Sequence, residues 1–563
     1  MLGRPSSRLF SPVGAGLSCV ALCAAAGLAG PQAIVTNFTT EANSLVPGQP
    51  GVRFFLSTGL LVGNIFQRPR ISADGSNWVL VTRRTILTGA GVQDTARDGL
   101  VIAGKGTTPL TVVSVERDPW PAFTTGLLNL ETRTGIFDID AAINNAGQVG
   151  FVTLTDAATT VNRVMARAEL TGPSLTLTSM SIIAREGTAS PLTGFNQGNS
   201  FQLGGLTADG RALYNTLVMT PEPPGGQKQA TFLGGTTLAE TVSGALSAPA
   251  LPQGGFDAPY QVMTVFSGDP VAQGSDDGNN NLIFAQIQTG TDVAVYNGTL
   301  VLREAQQLPD DGFFDFPISQ INNGRVSSNG LNYIIRGFTL GEGWVFGKRN
   351  DAQLKLKTGA SVTPGSTEKW LRFLLPPSNV MPAAFTNVGI NNAGDFVTTG
   401  FTDNADLGRN VVMVQNGTTI LLREGDAIDI TGDGVAAGDD AIILGFGQDT
   451  MTVTNDRWVY FVADVIRPLA TIASQAGDGP IIQGQGFFRV KLACGASDIA
   501  SPGPVAGADG ELTADDIIFF ISSFTAGNLG VADIAGPGPS AGADGELTAD
   551  DIILFINRFT AGC

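Results

Sequence analysis

A degenerate unit of about 65 residues recurs seven times between residues 34 and 490, and a chain written that way has to lay its units side by side to bury them. Its clearest copies are INNAGQVGF (Ile143 to Phe151) and INNAGDFVTTGF (Ile390 to Phe401). Weaker ones start at Ile71, Leu206, Asp276, Val326 and Val453. The turn position is Gly75, Gly147, Gly210, Gly278, Gly330 and Gly394, then Arg457 in the last copy, at intervals of 52 to 72 residues.

Each unit holds more than one strand. In NVVMVQNGTTILLREGD (Asn410 to Asp426), Asn416-Gly417 separates two apolar runs, the signature of a type I′ hairpin. The pattern returns at Asn297-Gly298 and at Gly234-Gly235. One unit is therefore a meander of about four strands, and seven such sheets set radially make a β-propeller. A string of small β-sandwiches is the alternative, as is a β-solenoid, for which 65 residues is a long coil. The fold class expected is mainly β: a seven-unit propeller over residues 34–490 with a small α-helical module at 494–563.

Composition narrows the setting. A net charge of -18 without a Lys/Arg cluster disfavours nucleic acid as a partner and suits divalent cations. The first 33 residues read as a secretory leader, with Arg4 and Arg8 ahead of the apolar stretch Val13 to Ala29 and small residues after it. Cys23 lacks a lipobox, since Leu22 stands where a small residue belongs. No second stretch is long and apolar enough to span a membrane once the leader is removed. The product is expected to be secreted or at the cell surface.

Residues 497 to 562 carry one acidic module twice. Ser497 to Gly527 and Ala532 to Gly562 share GADGELTADDII, each Asp 35 positions from its counterpart. Thr513 is placed to cap a helix with Asp516 three residues on, and Ile517, Phe520, Ile521 and Phe524 are read as its apolar stripe. Thr548, Asp551, Ile552, Phe555, Ile556 and Phe559 repeat it. Asp509 and Asp544 match position 5 of a calcium loop, with Glu511 and Glu546 two residues on, Thr513 and Thr548 at position 9, and Asp516 and Asp551 at 12. The first half departs from that pattern, so the first ligand has to be Asp498 or Asp533, arriving through a Pro-Gly-rich loop. The other reading of these acids is helix-end charge. From Cys494 onward ten acids face Arg558 alone, a net -9 that favours a counter-ion.

Cys494 and Cys563 bracket the module. A disulfide between them would close a loop of about 70 residues and stabilise by roughly 4 kcal/mol; a free or processed Cys563 is the alternative.

The N-x-x-G-x-x-x-F turns, alternating with L-R-E-G, resemble the planctomycete-type surface proteins named for tandem NxxGxxAF repeats. The duplicated tail is similar to dockerin domains of the kind that ends in Gly-Cys. The resemblance implies surface display, two calcium sites on the Asp residues just named, and a scaffold (cohesin-like) protein or sorting machinery as partner. It names no glycan or protein ligand.

A third acidic loop lies inside the repeats. Asp429, Thr431, Asp433, Val435 (by its carbonyl) and Asp440 fall at positions 1, 3, 5, 7 and 12 of an EF-hand loop, with Gly434 at 6. An acidic surface turn is the plain alternative. Catalysis is disfavoured: with no His in the chain, Ser-His-Asp and Cys-His systems are excluded. A carboxylate-based glycoside hydrolase remains as the alternative function. Its candidate acids, in Arg185-Glu186, Arg303-Glu304 and Arg423-Glu424, recur in register, which predicts blade-locking ion pairs instead.

Overall fold

A computed structural model describes residues 31–38, 52–54, 67–86, 98–106, 110–115, 128–129, 141–155, 163–221, 226–241, 260–262, 272–287, 292–304, 318–339, 342–348, 352–371, 384–430, 440–466, 483–494, 497–501, 505–506, 512–536, 540–541 and 545–561. They fall into two compact units, one ending at Gly495 and one starting at Ala496. The first is a seven-bladed β-propeller, as the repeat predicts.

Blade one runs from strand Val52–Phe54 to Thr111–Val115, two from Leu128–Asn129 to Thr176–Arg185, and three from Asn196–Gln197 to Thr236–Glu240. Blade four runs from Tyr260–Val262 to Thr299–Arg303, five from Ile318–Val326 to Ala352–Lys357, and six from Phe385–Ile390 to Thr419–Arg423. Blade seven runs from Ala427–Ile428 to Gln483–Lys491, and Gln32–Phe38 is its outermost strand, antiparallel to Gln483–Lys491. The two ends of the propeller sequence thus share one sheet, which closes the ring. This closing strand takes up Gln32 and Ala33, two residues that the sequence reading gave to the leader.

The inner strands form the ring. Gln67–Ile71 lies against Ala141–Ile143, and the series continues through Gln202–Leu206, Ala272–Gly274, Ile318–Val326, Phe385–Ile390 and Thr452–Val453 back to Gln67–Ile71. Between each pair of neighbouring blades sits one apolar cluster, seven in all among the described residues. A blade is covered on both faces, so its middle strands are buried throughout: Val411–Gln415 is one such run, and Trp78 to Val81 another. Covered strands carry continuous β-branched and aromatic residues because neither face meets water.

The second unit holds helices α1 (Ala514–Thr525), α2 (Leu529–Ala532) and α3 (Ala549–Ala561). Each copy opens with a two-residue ribbon, Ala500–Ser501 with Val505–Ala506 and Ala535–Gly536 with Ser540–Ala541. The Phe520 and Phe555 rings stack at 4.0 Å with planes 12° apart, and Ile517, Phe524, Ile552 and Phe559 pack around them. Ile521 and Ile556, expected in the same stripe, are instead 42% and 39% exposed. With Phe520 facing inward, the residue one position on is turned by about 100° and falls outside the contact.

Candidate functional site

All seven repeat turns gather at one end of the inner strands. In each, the turn residue donates its N–H to the carbonyl three residues back: Gly75 to Ser72, Gly147 to Asn144, and so on to Arg457 and Thr454. The six glycines sit at φ +70° to +84° and Arg457 at +68°. The left-handed region costs a Cβ-bearing residue about 1–2 kcal/mol, which is why six of the seven are glycine.

The turns are also linked to one another. Asp74 N donates to Asn145 Oδ1 (3.2 Å), Asn144 Nδ2 to Thr207 O (2.9 Å), Ala208 N to Asp276 O (2.7 Å) and Asp276 N to Ser328 O (2.8 Å). Asn329 N then donates to Asn392 Oδ1 (2.8 Å), Asn392 N to Asn455 Oδ1 (2.9 Å) and Asn455 N to Ala73 O (3.1 Å), completing the circle. Asn455 Nδ2 also donates to Ser328 Oγ (2.8 Å), joining blade seven to blade five. In N-N-A-G the first Asn folds its own turn, Asn144 also reaching blade three, and the second accepts from a neighbouring turn. The repeat motif alone does not separate these tasks.

Carboxylates crowd this ring. Burial pushes the Asp276 carboxyl up to about 6, with the Asp74 and Asp277 carboxylates adding to it. Burial also raises Asp456, where Arg489 pulls down and Asp74 pushes up. Sequence reading singled out neither Asp74 nor Asp276, because each stands in an ordinary turn of its own blade.

The hairpin asparagines are latches. Asn297 and Asn416 both adopt positive φ, with Gly298 and Gly417 beside them, as a type I′ turn requires. Asn416 Oδ1 accepts from Phe396 N and Asn297 Oδ1 from Asn281 N, so each turn holds the start of the next strand inward.

In the Arg-Glu signature the glutamates hold strand N–H groups, and the ion pair seen at Arg423 runs to a residue distant in sequence. Glu186 and Glu304 accept the N–H of Arg163 and of Asp292, at the start of the adjacent strand. Val411 N–H does the same for Glu424, whose carboxyl burial nonetheless raises. Arg423 pairs with Glu368, its two terminal nitrogens each 2.8 Å from a carboxylate oxygen, rather than with the neighbouring Glu424. Glu368 also accepts from Thr402 and Asn404, so this partly buried group joins the loop leaving blade five to blade six.

At the blade-seven acidic loop, Asp429 and Asp440 are buried, and Ile430 N donates to Asp440 Oδ1 at 3.0 Å. Ala33 N donates to Asp429 O, so the first residue of this loop also holds the closing strand. Thr431, Asp433 and Val435 lie outside the described residues. At the exit from the propeller, Gln415 Nε2 and Arg457 Nη2 both donate to Ala493 O, at 3.0 and 2.7 Å. Cys494, next in sequence, is disulfide-bonded; Cys563 lies outside the described residues.

In the terminal module Asp516 and Asp551 are fully buried. Asp516 Oδ1 accepts from Ile499 N and Ala500 N, and Oδ2 from Thr513 N, closing the capping box on α1. Asp551 repeats this with Ile534, Ala535 and Thr548. Burial works against ionisation of Asp551, but the donors from Thr548, Ala535 and Ile534 outweigh it and hold the carboxyl below its usual value. Asp498 and Asp533 are buried too, and Gly545 N donates to Asp533 Oδ2 (2.7 Å). Thr513 and Thr548 cap their helices by accepting from Asp515 N and Asp550 N, and Glu546 lies in the turn before α3. Asp509, Glu511 and Asp544 lie outside the described residues. Among the described residues no three His, Cys, Asp or Glu side chains converge as a metal site, and no helix is long and apolar enough to cross a membrane.

No protein-family model matches the chain, and no curated protein does. Among solved structures it is similar to the Dos1 propeller (TM-score 0.32, 7% identity, over 75% of this chain and 93% of that one). It is also similar to the β-propeller domain of the Trilobed protease from Pyrococcus furiosus (0.30, 9%, 74% and 93%) and to TolB from Acinetobacter baumannii (0.25, 10%, 72% and 79%). The class defined by the fold is a seven-bladed propeller followed by a duplicated helical module.

Proposed function

We propose that this chain is an exported, non-catalytic binding or structural protein, displayed at the cell surface or outside the cell and attached or sorted through its duplicated terminal module. The observation that carries the reading is the matched exposure of the two copies. Ile518 and Ile553 are 49% and 46% exposed, and Ile521 and Ile556 follow at 42% and 39%. Two helices that keep isoleucines in water at equivalent positions offer a partner two equivalent apolar patches. A scaffold or sorting protein is the class of partner that suits such a module.

Calcium belongs to the same proposal. The acids of each copy, Asp498, Asp509 and Asp516, then Asp533, Asp544 and Asp551, recur at one spacing in a segment that carries half of the chain's net negative charge. The 429–440 loop is proposed as a third calcium loop. Its spacing carries that reading, and the burial of both of its end carboxylates supports it. The non-catalytic reading is supported by Glu186 and Glu304, whose carboxylates accept strand N–H groups.

Fractionation of the native cells tests attachment. The full chain is expected in the envelope or medium fraction and released by EDTA, and a chain carrying Ile518→Asp and Ile553→Asp is expected to lose its place. Specific glycan turnover by the purified protein, abolished by replacing one acid outside the repeat register, would overturn the proposal in favour of a hydrolase.

A further inference from the structure

We propose that the axial ring of turns is a proton-sensitive seam, in which protonation of Asp276 tightens the turn face of the propeller. The geometry comes first. Asp276 supplies two of the seven links of the ring through its backbone, accepting from Ala208 of blade three and donating to Ser328 of blade five. Among the described residues its carboxylate receives no hydrogen bond and has no cationic partner. A partly buried carboxylate without donors favours the neutral form.

The charged groups of the ring explain why nothing else neutralises it. Blade one presents Asp74, which already accepts from Ser72 and Ser76, and Asp277 adjoins Asp276 in blade four. Blade seven presents Asp456, beside Arg489 and within electrostatic reach of Asp74. Blade three presents Arg211, whose charge is taken by Asp209 and which donates to the carbonyl of Asp277. Blade two brings Asn145 and Arg167, whose charge is met by Glu169 and which donates to Gly210 O; blades five and six bring Ser328, Asn392 and Asp395, the last beside Arg457. Ionising Asp276 therefore adds a negative charge among carboxylates, at a residue whose own backbone joins three blades.

The direction follows from linkage. A carboxyl whose folded value is raised above its unfolded one stabilises the fold fully below the unfolded value, near 4, and that contribution is lost as pH rises through about 6. Every other carboxylate of this acidic chain adds its own pH dependence, so the informative quantity is the difference between wild type and Asp276→Asn.

The experiment is thermal unfolding of the full chain from pH 4 to 8, with hydrogen exchange at the Ala208 and Asp276 amides. Wild type is expected to lose melting temperature and gain exchange between pH 4 and 7. Asp276→Asn is expected to remove most of that change, and Asp74→Asn to move its midpoint to lower pH. An Asp276→Asn chain that keeps the wild-type slope would overturn the proposal. So would a wild-type slope abolished by millimolar calcium, which would assign the neutralising charge to a cation. If Asp276→Asn does not fold, the Asp74→Asn midpoint decides alone, and an unmoved midpoint counts against the seam.

Discussion

Arg336 of blade five and Asp449 of blade seven form a buried ion pair, 2.5 Å from Nη2 to Oδ1, that passes over blade six. Asn323 Nδ2 donates to the same oxygen (2.7 Å), and both ends touch the intervening blade: Arg336 Nη1 donates to Phe385 O, Asp449 N to Thr386 O. Asp449 holds φ +56° to reach this position. Removing one partner of a buried pair leaves a charge without compensation, at about 3–5 kcal/mol. Asp449→Asn is expected to lose that much in chemical denaturation, and the double variant Asp449→Asn, Arg336→Met less than the two single losses added together. Additive losses would show that the pair is not coupled.

The turn glycines separate two costs. Gly147 sits at φ +81°, and a Cβ there would lie 2.6 Å from the carbonyl oxygen of Leu170. Gly194 has a similar φ, +84°, with open space around it. Gly194→Ala is expected to cost about 1–2 kcal/mol, the backbone term alone. Gly147→Ala meets a backbone atom that cannot swing away and is expected to cost clearly more; equal losses by denaturant midpoint would remove the packing term.

What could be read beforehand follows from what is local. The seven turns, the Asn-Gly hairpins and the capping boxes are fixed by backbone conformations that only a few residue types adopt, so Gly75, Asn416 and Thr513 declare themselves in sequence. The Arg336–Asp449 tie joins residues 113 apart through an irregular stretch of blade seven, and no periodicity marks it. Arg423 was readable as paired, but its partner Glu368 comes from the preceding loop and not from the adjacent position. The turn glycines have a second reason that sequence does not display, since at Gly75 the Asp456 carboxylate of the neighbouring turn fills the place of a Cβ. The closing strand was obscured because its first residues follow closely on the apolar stretch Val13 to Ala29. Of the candidate calcium ligands, the repeat spacing made the acids visible, whereas the backbone donors that Asp516 and Asp551 collect arise from a ribbon 16 and 17 residues earlier.

Arg457 is the one turn residue that departs from glycine, and its side chain gives the reason. It reaches Ala493 O and lies 3.6 Å from Asp395, while Leu492 N donates to its carbonyl. Arg457→Gly removes about 1–2 kcal/mol of left-handed strain and loses contacts of similar size. Global stability is expected to change by less than about 1 kcal/mol, with faster hydrogen exchange confined to residues 492–494. Unchanged exchange there would mean that the side chain does not hold the exit.

The Phe520–Phe555 stack is the centre of the terminal module, and both rings are 1% exposed. Phe→Ala at a buried site costs about 3–5 kcal/mol. In so small a core, Phe520→Ala is expected to unfold the module while leaving the propeller's own melting transition in place. Two transitions in calorimetry of the full chain, with only one lost in the variant, would bear this out; simultaneous loss of both would show that the units unfold as one.

Asp551 gives the module a pH dependence opposite in sign to that of Asp276. Its folded value lies below the unfolded one because three backbone N–H groups favour the carboxylate against its burial. The stabilisation is then present above the unfolded value, near 4, and is lost as pH falls through the lower folded value. Acidification from pH 5 towards 2, in buffers with EDTA, is expected to speed exchange at the Ile534 and Ala535 amides. Asp551→Asn is expected to show the fast exchange at every pH, because a neutral amide oxygen accepts more weakly and its NH2 end faces donors. Slow exchange retained by Asp551→Asn in EDTA would show that the carboxylate does not hold these amides.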